Sequence, residues 1–176
     1  MINSKALILV DFENQWMDKS SDYFVGDISD LIKKTNTLID YCRQNCYKVI
    51  FITHIEKDSD SAFVFNSKNV EIMSELNKKT SDILITKYNI SPFYKTSLDK
   101  ELNGITKLVV CGILTNLCVR SLVQDAYDRD FQITVITDCC KAFDKRTHEF
   151  TLKDLKTTRE EIEFLNLNEF IKLNKD

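Results

Sequence analysis

Glycine and proline are nearly missing from these 176 residues, at three and one. A collagen-like or low-complexity chain is thereby excluded, and helix and strand must be read from hydrophobic periodicity. Histidine is equally sparse, with only His54 and His148, and no spacing of Cys and His fits a structural zinc site. The six cysteines include no C-x-x-C pair, and Cys139 and Cys140 are too close for an ordinary disulfide. No apolar run approaches the roughly 18 residues that span a bilayer, so no membrane partner is expected. The apolar stretch in residues 1–14, MINSKALILVDFEN, lacks a small-residue cleavage site and reads as a buried first strand. Reduced thiols and a cytoplasmic location follow as expectations. A net charge of −3, with lysines scattered among acids, leaves no basic face for nucleic acid.

What is present is an ordinary globular composition, 43% hydrophobic and 29% charged, of a length that suits one domain over 1–176. Five short, nearly continuous apolar runs stand out: residues 6–10, 48–53, 82–86, 107–111 and 132–137. Such runs suit strands buried on both faces of a parallel sheet. Ile162 and Phe164 mark a possible sixth strand at an edge. Between the runs, Ile28, Leu31, Ile32, Thr35, Leu38, Ile39 and Cys42 recur at helical spacing. Leu122, Val123, Ala126 and Tyr127 do the same, and 146–155 and 166–173 are weaker helices. Alternating strand and helix predict a three-layer α/β/α sandwich, Rossmann-like, on a mostly parallel sheet of five to six strands.

In such sheets ligands bind beyond the carboxyl ends of the strands. Asp11 directly follows the first run and Lys87 the third. Cys118 lies just past the fourth, in GILTNLCVRSLVQDAYD, where the strand is read to break at Gly112 and a helix to begin near Thr115. A thiol in the first turn of a helix sits among unpaired N–H groups at the positive end of the dipole, which favours the nucleophilic thiolate. Asp11 could take its proton, Lys87 could stabilise both anions, and backbone N–H groups of residues 113–118 could hold an oxyanion.

VDFEN around Asp11, KYNISPF from Lys87 and GILTNLCVRSLVQDAYDRDF around Cys118 resemble the isochorismatase-like cysteine hydrolases, a superfamily that includes nicotinamidases and N-carbamoylsarcosine amidohydrolases. The likeness runs over nearly the whole chain. It implies Cys118 as nucleophile, Asp11 as general base and Lys87 as the third catalytic residue. It also implies a cis peptide between Ile113 and Leu114, and an oxyanion hole from the N–H groups of Leu114 and Cys118. A substrate pocket lined by Trp16 and Phe12 is implied as well, although Trp16 equally fits a core position. The family further implies a homo-oligomer, a dimer or larger.

Two departures are visible. Nicotinamidases bind a divalent metal through an Asp-x-His pair and a second His, but Ile52 stands at the Asp position before His54 and no second His follows. No metal or other cofactor is therefore expected. Members commonly read Asp-x-Gln-Asn-Asp-Phe where this chain has Asp11, Phe12, Glu13, Asn14, Gln15 and Trp16. Glu13 either faces inward, raising the Asp11 pKa by repulsion, or pairs with a surface lysine. Residues 55–80, with Phe63 and Phe65, are read as a lid. The expected activity is hydrolysis of a C–N bond in a small-molecule amide through a thioester. Isochorismatase-type vinyl-ether hydrolysis and a non-catalytic scaffold on the same fold are the alternatives.

Overall fold

The computed structural model describes residues 4–174; residues 1–3 and 175–176, the ends of the expected domain, lie outside the described part. Six strands form one sheet: β1 (Lys5–Val10), β2 (Lys48–His54), β3 (Ile83–Lys87), β4 (Lys107–Ile113), β5 (Gln132–Lys141) and β6 (Glu163–Leu165). All neighbours pair in parallel, in the order β3-β2-β1-β4-β5-β6. Central strands are buried on both faces: Ala6 to Val10 of β1 have no exposed surface, which explains their unbroken apolar run. Edge strand β3 alternates instead, with Leu84 half exposed.

The helices are α1 (Ser29–Gln44), α2 (Leu98–Glu101), α3 (Arg120–Tyr127), α4 (Lys145–Thr158) and α5 (Leu167–Leu173). Helix α1 buries Leu31, Thr35, Leu38, Ile39 and Cys42, the stripe its sequence predicts. Right-handed crossovers carry the chain leftward through α1 and rightward through α3, so these two helices cover opposite faces. The four-residue α2 is too short to leave a periodic signal.

This strand order places the switch in winding direction between β1 and β4, and a crevice at their carboxyl ends is where such folds bind ligands. Gly112 sits at that junction, paired with Val10. Contrary to the sequence reading, β4 does not break there but runs on to Ile113. The residue has φ +149°, and a Cβ added to it would lie 2.3 Å from the Val10 carbonyl oxygen. Backbone that close to backbone has nowhere to give. Gly112→Ala is expected to cost at least about 2–3 kcal/mol, read as a fall of roughly 5–10 °C in thermal midpoint; an unchanged midpoint would show that the junction relaxes freely.

Candidate active site

Three strand ends converge at this crevice. Asp11, just past β1, adopts left-handed backbone (φ 54°), a conformation Asp tolerates better than most residues, and its N–H donates to the Ile52 carbonyl at 2.9 Å. Lys87 closes β3 opposite His54 of β2. Its stem crosses the end of β2, and Nζ reaches Asp11 Oδ2 at 2.8 Å and Cys118 Sγ at 3.2 Å. Asp11 and Lys87 have no exposed surface, whereas Cys118 is partly open. Asp11, Lys87 and Cys118 therefore stand together, with the ammonium bridging carboxylate and thiol.

The segment holding Cys118 is a π-helical turn, Thr115–Val119, running directly into α3. The peptide between Ile113 and Leu114 is cis. The Leu114 carbonyl accepts the N–H groups of Leu117 and Val119, both at 3.2 Å. Thr115, fully buried, shares a 2.9 Å hydrogen bond with His148 Nδ1 at the start of α4. His148 thus ties α4 to the turn carrying the thiol, and burial holds its pKa below the usual value, keeping it neutral.

The electrostatics correct one expectation. Position at a helix start favours thiolate, yet burial first, and the Asp11 charge second, push the Cys118 thiol well up, with Lys87 only partly opposing. The resting thiol is protonated. Burial also raises the Asp11 carboxyl against the pull of Lys87. Lys87 itself, although burial acts to lower it, is held above its ordinary value by Asp11 and Cys118 and stays charged. A base whose proton affinity lies above that of a free carboxylate is better matched to a thiol.

Of the aromatic residues of the first motif, Phe12 falls differently from expectation, while Trp16 takes the core position that was its alternative. Phe12 has no exposed surface and belongs to the hydrophobic core, so it does not line an open pocket. Trp16 is also buried; its indole N–H donates to the Asp11 carbonyl at 2.7 Å and fixes the backbone of that residue. Its ring packs edge-on against Tyr23, Phe63 and the exposed Phe143, so the cluster leads from Asp11 to the surface. Phe63 is the inner anchor of the 55–80 segment, and Phe65 lies outside. Gln15 Oε1, which sequence reasoning passed over, pins that segment through the Phe63 N–H at 3.1 Å. Asn116, also missed, carries a buried carbonyl oxygen with no hydrogen-bond partner among the described residues.

Glu13 points inward. Its Oε1 accepts the His54 backbone N–H at 2.6 Å, and the side chain is fully buried. Like-charge repulsion falls on Glu13 rather than on Asp11: burial first, then Asp11, hold the Glu13 carboxyl well above the usual range.

The residues do not fit the metal that nicotinamidases bind. Ile52 is wholly buried inside β2, and the His54 ring stacks edge-on against Phe63 with a buried, unpartnered Nδ1. Burial and then Lys87 lower His54 to about 4. Among the described residues no three His, Cys, Asp or Glu side chains are grouped to hold an ion. All six cysteines are free thiols, with the vicinal Cys139 and Cys140 both buried.

A family model for the isochorismatase domain matches residues 5–162. Nicotinamidase 3 of Arabidopsis thaliana is 26% identical over 170 residues, covering 87% of this chain and 82% of that protein. The crystal structure of an isochorismatase family protein from Desulfovibrio vulgaris aligns with a TM-score of 0.89 at 19% identity, over 97% of this chain and 98% of that one. N-carbamoylsarcosine amidase from Thermoplasma acidophilum aligns with a TM-score of 0.81 at 23% identity, over 94% and 98%. These two likenesses are of fold, and both structures share the open α/β sheet.

Proposed function

This chain belongs to the isochorismatase family, and on that premise we propose that it is a cysteine hydrolase cleaving a C–N bond of a small amide. The observation that supports this most is the Lys87 ammonium held between the Asp11 carboxylate and the Cys118 thiol. Asp11 accepts the thiol proton as Sγ attacks the substrate carbonyl carbon. The carbonyl electron pair moves to oxygen, where the N–H groups of Leu114 and Cys118 are the proposed donors. Collapse breaks the C–N bond, and the leaving nitrogen takes the proton from Asp11. Water then adds to the thioester, giving one proton to Asp11; the acid departs and the thiol is restored.

Lys87 keeps its charge throughout and balances whichever of Asp11 and Cys118 is anionic. The unpartnered Asn116 oxygen suits a substrate that brings N–H groups, as primary amides and ureas do. A scaffold reading fits poorly, because a lysine directed away from the cysteine would be its mark. The same proposal takes the protein to be cytoplasmic and a homo-oligomer, a dimer or larger, with a small molecule as substrate and no metal. Among the described residues no helix is long and apolar enough to cross a membrane.

The test is a panel of small primary amides, ureas and isochorismate, read by ammonia and pyruvate release. Ammonia from at least one amide or urea is expected, with an acyl adduct on the Cys118 peptide by mass spectrometry. Pyruvate from isochorismate with no adduct would favour vinyl-ether hydrolysis, with Asp11 as the acid.

A further inference from the structure

Glu13 has no role in the steps above, yet it is buried beside them. The backbone of residue 13 bridges to Ile72, and Oε1 is taken by the His54 N–H. Oε2 is buried and has no hydrogen-bond partner among the described residues. The groups around it are Asp11 past β1, Lys87 on β3, neutral His54 on β2, and Cys118 across Lys87. Glu71, on the segment that bridges to it, is exposed, and Glu56 lies 3.9 Å beyond the His54 ring. Lys87 is the one cation in this group, and its Nζ is already shared by Asp11 at 2.8 Å and Cys118 at 3.2 Å. A second buried carboxylate would lack a counter-charge, a state that costs several kcal/mol and that a proton removes.

We propose that Glu13 is a positioning residue that stays protonated in the folded protein, keeps Oε2–H as a donor at the site, and leaves the Lys87 charge undivided between Asp11 and Cys118. With Oε1 accepting from His54, the proton sits on Oε2. The carboxyl then mimics the amide that the family commonly carries here, and it adds no negative charge near the developing oxyanion. Its catalytic consequence rests on the cysteine-hydrolase reading; its protonation does not.

The linkage has a definite sign. Burial and the Asp11 charge hold the Glu13 carboxyl well above its ordinary 4.5. The folded state therefore binds this proton more tightly than the unfolded state. The resulting stability is fully present below pH 4.5 and falls as pH rises toward the folded value. Glu13→Gln, neutral and of the same shape, removes that fall. Thermal midpoints of the full chain and of Glu13→Gln, taken from pH 5 to pH 8, are expected to diverge, the variant gaining roughly 3–5 °C per pH unit through the window. Parallel curves, or wild type gaining on the variant, would overturn the proposal.

Should Glu13→Gln fail to fold, wild-type protein labelled with carbon-13 glutamate gives the answer alone. Its infrared spectrum at neutral pH is expected to hold a protonated-carboxyl C=O band that moves with the label, and absence of the band is decisive against it. On whichever amide is turned over, an alkaline limb in wild type is expected to vanish in Glu13→Gln, and Glu13→Gln is expected to recover activity lost in Glu13→Ala. If the midpoints diverge while Cys118→Ala keeps its activity, the hydrolase reading fails and Glu13 protonation stands; the reverse result overturns only Glu13.

Discussion

Cys118→Ala is expected to lower amide hydrolysis by at least roughly 10⁴-fold, because the proposed thioester forms on this thiol. Stability should change little. Removing a partly open thiol opens no large cavity, and it leaves the Lys87–Asp11 pair at 2.8 Å intact. The measurement is ammonia release per active site, with circular dichroism as the control on folding. Order of labelling by iodoacetamide does not identify the nucleophile in this protein. Cys46 is exposed, whereas burial and Asp11 hold the Cys118 thiol protonated at rest. The acyl adduct on the Cys118 peptide, absent from the variant, is the discriminating readout. Retained activity in Cys118→Ala would sink the mechanism.

Lys87→Met carries the second large effect and separates charge from packing. The methionine keeps most of the stem while deleting the ammonium, which leaves Asp11 buried without a counter-charge. Breaking a buried pair in this way costs about 3–5 kcal/mol, or roughly 10 °C or more in thermal midpoint. The deficit depends on pH. Without Lys87, burial drives the Asp11 pKa further above its ordinary 3.8. The penalty is therefore smallest near pH 4, where Asp11 protonates at little cost, and grows toward pH 8. Activity should fall at least about 10³-fold, since neither the carboxylate nor the thiolate retains a counter-charge. A midpoint deficit independent of pH would show that packing, not charge, is what Lys87 contributes.

How much of this was legible in the sequence depends on the kind of signal. The runs 6–10 and 48–53 became β1 and β2 almost residue for residue, because strands buried on both faces are written as unbroken apolar stretches. Asp11, Lys87 and Cys118 were readable as strand-end residues, and the sheet brings them together. The π turn at Thr115–Val119 left no trace, since five residues do not resolve one helical period from another. Glu13 was undecidable because the period-2 pattern ends with the strand, and left-handed backbone at Asp11 resets the facing of the residues after it. The thiol's proton affinity was misjudged for a related reason. A helix start can be read from sequence, but the depth of burial around it is a property of the assembled fold. Phe12 was misplaced similarly: the resemblance put it in the substrate pocket, whereas the fold turns it into the core.

The reach of Lys87 from the outermost strand has a consequence for cooperativity. Asp11 and Cys118 hang from the two neighbouring central strands, but the cation comes from β3, which pairs with β2 alone and has half-exposed Leu84. An opening that frees only this edge would withdraw the ammonium while the centre of the sheet stayed folded. The proposed activity is thus tied to an edge strand, and it should be lost at milder denaturing conditions than the bulk secondary structure. Loss of activity ahead of loss of secondary structure would then report whether the sheet is complete.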